Sequence, residues 1–167
     1  TDPYGTVLET RIIKAPNNPS TKPGVECNGI TLRQLRAVME NIMRKCVAEE
    51  WTGFNNETLT LEEVNLYDVN RYIILPYTSR KKSSFVRALP STAGAQPPRF
   101  FVSHWWGKPV IQFIACLEQA TVDFRMNLDY GDHDHESMGG GMTADTPVWV
   151  CAYANNQWSL GDDITED

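Results

Sequence analysis

Residues 100–110 read Phe-Phe-Val-Ser-His-Trp-Trp-Gly-Lys-Pro-Val, and the fold turns on what this run becomes. Phe100, Phe101 and Val102 have the aromatic and β-branched character of a short strand. Pro109 suits the first turn of a helix, where its missing N–H costs nothing. From there Val110, Phe113, Ile114, Leu117 and Phe124 keep helical spacing. Ile111, Ala115 and Cys116 make the early turns apolar almost all round, which predicts a mostly buried helix. A polar stretch over 127–147 follows, and then VWVCAYA, residues 148–154, a continuous apolar run of the kind found in strands covered on both faces. Strand, helix and strand make a βαβ unit, so parallel strands are expected over 100–103 and 148–153, joined by a right-handed crossover through the helix from Pro109.

Parallel strands release the chain on the same rim. Ser103, His104, Trp105 and Lys108 after the first strand, and Asn155, Asn156 and Gln157 after the second, are therefore expected on the edge where open α/β sheets bind ligands. The N–H groups of the helix start point there too and favour an anion. Ser103 and His104 are strand neighbours on opposite faces, so they are not expected to pair as nucleophile and base. Of Trp105 and Trp106, one is expected to anchor a core or interface and the other to cover the cleft. The three amides either contact a ligand or cap the next turn.

The N-terminal half is organised differently. Residues 1–29 are rich in Pro, Asn, Gly and Thr with one strand-like run, and read as an extended arm laid over something else. Residues 30–90 read as helical. Thr31 caps a helix with Gln34 closing a capping box, and Leu32, Leu35, Val38, Met39, Ile42, Met43 and Cys46 form its apolar stripe. Thr60 and Glu63 repeat the device, which predicts a second helix over 61–74 that ends before Pro76. Residues 91–98 read as a linker.

Charge is uneven along the chain. Residues 69–108 hold seven cations and no acid, whereas residues 123–167 hold ten acids against Arg125 alone. Arg80, Lys81, Lys82 and Arg87 are the natural place for an anionic partner, although the acidic end could simply balance the basic middle. Cys27, Cys46, Cys116 and Cys151 are widely spaced with no Cys-x-x-Cys pair, which points to reduced thiols and an intracellular setting. No run approaches the roughly 20 apolar residues of a membrane span, and the chain opens on Thr1, which leaves targeting signals open. Asp132, His133, Asp134, His135 and Glu136 look metal-like, but they border three glycines and lack a fixed third ligand, so no metal is expected there and no cofactor elsewhere.

Two motifs carry a family resemblance. FFVSHWWGKP resembles the first conserved strand of fungal heterokaryon-incompatibility (HET) domains, and Trp149, Val150, Asn156 and Gln157 fall on the Trp, Ile, Asn and Gln of the second. The wording SHWWG followed by YANNQ is also similar to a group of dinoflagellate and other protist proteins. HET domains are similar to TIR domains, so the resemblance over 99–160 implies a partial flavodoxin-like α/β core within residues 99–167. Cys151 stands where HET proteins carry Asp, and His104 where they carry Tyr. In TIR enzymes the catalytic glutamate lies on a later helix, which this chain is not expected to reach, and Glu118 is poorly placed to replace it, so no catalytic residue is assigned. The expected function is a non-catalytic interaction or assembly module that meets other proteins through residues 1–29, Trp105 and Trp106. The alternatives are an accessory subunit of a large assembly and a TIR-like hydrolase of NAD. A two-stranded parallel sheet is not stable alone. The chain must therefore belong to a longer one, rest on a partner, or draw the missing layer from its N-terminal half.

Overall fold

In the computed structural model, which describes residues 10–14, 24–90, 96–129 and 141–159, the elements follow in this order. The chain runs through β1 (Thr10–Lys14), a 3₁₀ turn (Val25–Cys27), β2 (Ile30–Thr31), α1 (Leu32–Ala48) and α2 (Leu66–Val69). A π-helical turn (Asn70–Ile74) leads directly into α3 (Leu75–Thr78), followed by α4 (Phe85–Ala88). β3 (Phe100–His104), α5 (Val110–Asp129), β4 (Pro147–Trp149) and α6 (Cys151–Ala154) complete it.

β3 and β4 are adjacent and parallel, with Phe100 opposite Val148 and Phe101 opposite Trp149, and α5 connects them. Phe100, Val102 and His104 are buried while Ser103 is exposed, the two-residue period of a strand. The missing layer comes from the N-terminal half. β1 pairs antiparallel with β3, from Thr10 opposite His104 to Lys14 opposite Phe100, and β2 pairs antiparallel with β4. The result is a mixed four-stranded sheet of order β1-β3-β4-β2.

The expected arm is thus, where described, part of this chain's own sheet. Residues 10–14 satisfy the backbone edge of β3 that would otherwise stand open. The 3₁₀ turn is fastened as well, because Val25 O accepts from Trp149 Nε1 at 3.1 Å. The helical half and the βαβ half are not separate bodies. One apolar core joins Leu35, Ile42, Val64 and Ile74 to Phe100, Phe113, Leu117 and Val148.

α1 forms as its capping box dictates: Gln34 N donates to Thr31 Oγ1 at 3.1 Å and Thr31 N to Gln34 Oε1 at 2.9 Å. Its stripe buries Leu32, Leu35, Val38, Ile42 and Cys46, but Met43 faces solvent, because the buried arc closes one residue short of it. The second helix departs further from expectation. Residues 60–64 make only a single turn, closed by Val64 N donating to Thr60 O at 3.2 Å. The helix starts at a second capping box, Asn65 with Asp68, and runs through Pro76 to Thr78. The wide turn explains the passage: Leu75 N donates to Asn70 O, five residues back, so the backbone is already opened where the proline ring would clash.

Two apolar runs were also misleading in kind. α5 buries Val110, Phe113, Ile114, Leu117 and Ala120, but Ile111, Ala115 and Val122 are exposed, since core packs against only one face. The second strand stops at Trp149 instead of reaching residue 153, and Cys151–Ala154 turns into α6. Ala152, Tyr153 and Ala154 are fully buried there, so the run is apolar because of burial on all sides, not because of strand period. In the stretch expected as a linker, Gln96 is structural: Gly29 N donates to its carbonyl at 2.8 Å, and its Nε2 donates to Gly29 O at 2.8 Å.

Candidate functional site

The single rim expected from the two parallel strands divides into two places. At the end of β3, His104 is buried with its ring 4.9 Å from Phe113, while Ser103 on the opposite face is exposed. The two tryptophans separate: Trp106 is partly buried, Trp105 is 58% exposed. Trp106 Nε1 donates to Cys151 Sγ at 3.1 Å, which ties the end of β3 to the residue after β4. Lys108 N closes the intervening turn on Trp105 O at 3.1 Å.

The start of α5 is not an open anion site. Val110 N donates to Val64 O at 2.8 Å, Leu66 N donates to Trp106 O at 3.0 Å, and Pro109 has no N–H. These bonds bring residues 64–67 against the 105–109 turn and align three rings. Tyr67 lies 5.3 Å from Trp106, and Phe54 lies 6.2 Å from Tyr67, both in edge-to-face geometry. Phe54 sits on the turn closed by the Thr52–Thr58 bridge and is 81% exposed; Tyr67 is 45% exposed. An ordered chain of aromatic rings thus runs from Trp106 through Tyr67 to Phe54 at the surface. Phe54 and Tyr67 share no sequence pattern, standing 13 positions apart, and only the tertiary contact joins them.

Asn155, Asn156 and Gln157 lie elsewhere. Gln157 Nε2 donates to Cys151 O at 3.3 Å and Ala152 O at 3.1 Å, satisfying carbonyls at the end of α6. Asn155 N donates to Cys151 O at 3.1 Å, and Asn156 Nδ2 to Lys82 O at 2.8 Å. Asn156 thereby enters a cleft of about 390 Å³ with Gly24, Val25, Asn28, Lys82, Ser83, Ser84, Arg87 and Ala154. Of the basic group expected around residues 80–87, Lys82 and Arg87 line this cleft; Arg80 and Lys81 do not.

Outside the cleft, some charged groups form structural pairs. Arg36 Nε meets Glu118 Oε1 at 3.0 Å across α1 and α5. Arg33 grips Asp145 with both Nε at 2.6 Å and Nη2 at 2.9 Å, which raises the guanidinium and holds the carboxyl below its usual range. Burial raises the Asp68 carboxyl, opposed by the Asn65 backbone N–H. It also raises the Cys46 thiol, assisted by the charge of Asp68. Tyr153 is fully buried; desolvation pushes its hydroxyl upward, and that hydroxyl has no hydrogen-bond partner among the described residues. Cys27, Cys46, Cys116 and Cys151 are free thiols in the structure.

Among the described residues there is no group of three or more His, Cys, Asp or Glu that could hold a metal ion. The stretch Asp132–Glu136, with His133, Asp134 and His135, lies outside them. No described helix is long and apolar enough to cross a membrane. Comparison with protein-family models, curated proteins and solved structures finds no match to this chain.

Proposed function

We propose that this chain is a protein-interaction module, with a HET/TIR-like βαβ core, whose partner docks on the ridge formed by Phe54, Tyr67, Trp106 and Trp105. The observation that carries this reading is Phe54, 81% exposed yet held edge-on by Tyr67, which is itself braced by Trp106. Ring-to-ring support means that little side-chain entropy remains to be lost on docking, and aromatic anchors of this kind dominate binding energy at interfaces. Covering Phe54 would remove roughly 150 Å² of apolar surface from water, worth about 4 kcal/mol before the costs of association.

The module reading takes its core from the resemblance over 99–160 and its docking face from both halves, Phe54 and Tyr67 from the N-terminal one and Trp105 and Trp106 from the other, so the two halves act together. An accessory subunit of a large assembly would use the same ridge for a permanent contact. The test places a photo-crosslinking side chain at position 54, at position 105 and at the exposed control position 47 of α1. One and the same protein captured from 54 and 105, absent from 47 and lost with Tyr67→Ser, is the expected result. The same background proteins at all positions would refute the ridge.

A further inference from the structure

We propose that the cleft between the 24–28 turn, residues 82–87 and the end of α6 is a binding site for a small phosphate-bearing molecule. Its volume of about 390 Å³ exceeds what a bare phosphate fills and falls in the range of roughly 300–1,000 Å³ typical of small-ligand sites. Its lining residues include two cations, Lys82 and Arg87, and no acid.

The hydrogen bonds around the cleft hold its wall in place. Asn28 is 4% exposed and acts as the organiser. Its Nδ2 donates to Ala154 O at 2.9 Å and to Ser84 Oγ at 3.3 Å, and its Oδ1 accepts from Arg87 Nε at 2.9 Å. Arg87 Nη2 also donates to Gly24 O at 3.4 Å, so the guanidinium is held at the wall. Ser84, also 4% exposed, accepts from Asn28 Nδ2 and from Arg87 N at 3.4 Å. With both lone pairs engaged its own O–H has only to donate, and among the described residues that proton has no acceptor. A buried hydroxyl with an unplaced proton on a cleft wall calls for an acceptor from outside.

Lys82 closes the opposite side. It adopts the left-handed backbone region at φ 44, held by Lys82 N to Thr78 O at 2.8 Å and by Asn156 Nδ2 to Lys82 O at 2.8 Å. Such a conformation persists only where the surroundings impose it. Its ammonium stands 5.7 Å from the Trp158 ring, which braces the side chain beside the cleft. One guanidinium, one ammonium and one hydroxyl proton around a space with no lining carboxylate match the acceptor-only oxygens of a phosphomonoester.

The test titrates the full chain at low ionic strength with inorganic phosphate, adenosine monophosphate and adenosine, followed by calorimetry. Phosphate and the monophosphate should bind saturably, the monophosphate more tightly, and adenosine should not; added salt should weaken both. Arg87→Gln should weaken binding about tenfold or more, the share of one charge-assisted hydrogen bond. Ser84→Ala should weaken it by a smaller factor, and Arg80→Gln, outside the cleft, should leave it unchanged. Urea midpoints confirm that each variant is folded, and Ser84→Thr, which keeps the hydroxyl, should retain binding if Ser84→Ala fails to fold. The site is overturned by any of three results. One is no saturable binding of phosphate or monophosphate in the millimolar range. Another is equal weakening by Arg80→Gln and Arg87→Gln, which would indicate only diffuse charge. The third is binding of a phosphoserine peptide without either small probe.

Discussion

Replacing Asn28 with alanine should unfasten the N-terminal turn from the C-terminal half of the molecule. The side chain bonds two segments at once: α4, through its cap Ser84 and through Arg87, and the end of α6, through Ala154. In the Asn28→Ala variant the Ala154 carbonyl, on a fully buried residue, loses the Asn28 donor. Leaving a buried acceptor unmet costs about 1–3 kcal/mol, and a bond to a charged group contributes about 1.5–3 kcal/mol. Arg87 is exposed, so water recovers part of the second quantity. The expected loss is therefore about 3 kcal/mol, a large share of the roughly 5–15 kcal/mol of a typical domain. Urea unfolding followed by tryptophan fluorescence measures it, with the midpoint falling and the slope unchanged. A double-mutant cycle with Arg87→Ala should return a coupling of about 1–2 kcal/mol, because the pair is in direct contact. A loss below about 0.5 kcal/mol, within the range of ordinary surface changes, or a coupling near zero, would show that the 24–28 turn is not held by this network.

Other perturbations have equally definite outcomes. Gly29→Ala puts a Cβ 2.7 Å from Gln96 O, 2.9 Å from Pro147 Cβ and 3.2 Å from Pro98 Cα, none of which can swing aside; it should lower thermal stability by about 1–3 kcal/mol. Gly107→Ala instead meets the Trp105 ring at 2.7 Å; that exposed ring can move, so the indole emission should shift while stability changes by less than about 1 kcal/mol. Asp68 has its carboxyl raised by burial above the ordinary 3.8, so its charged form is disfavoured in the folded state. Stability from this group is greatest below 3.8 and declines as pH rises through its folded titration, so Asp68→Asn should gain on the wild type between acid and neutral pH in paired unfolding curves. The purified chain should release no nicotinamide from NAD above the buffer rate; turnover that vanishes in His104→Ala would move the buried His104 into chemistry and displace the interaction reading.

How much was legible from sequence depended on the distance over which each feature is decided. α1 was legible to its first residue because Thr31 and Gln34 satisfy each other within one turn. The opposite facing of Ser103 and His104 followed from the strand period alone. The site was less legible. Lys82 and Arg87 stood out as cations, but the side chain that holds Arg87, Asn28, sits 59 positions away in a stretch that looked like a detached arm. Phe54 and Tyr67 carried no pattern that joins them; Tyr67 meets Trp106 where Leu66 N donates to Trp106 O, and Phe54 packs on Tyr67 from a separate turn.

By itself, then, the sequence determined the capped helix, the βαβ order and the parallel pairing of its two strands, which rest on caps and periods a few residues long. Only the tertiary structure decided that β1 and β2 complete the sheet, because a strand edge is satisfied by whichever backbone arrives, and β1 comes from 90 positions before its partner β3. It also decided that Cys151–Ala154 coils into a helix and that the chain passes Pro76 in a wide turn. An apolar run records that a segment is buried but not its conformation; the carbonyls it leaves open are taken up by one donor close in sequence, Gln157, and one far away, Asn28, which only the fold brings there.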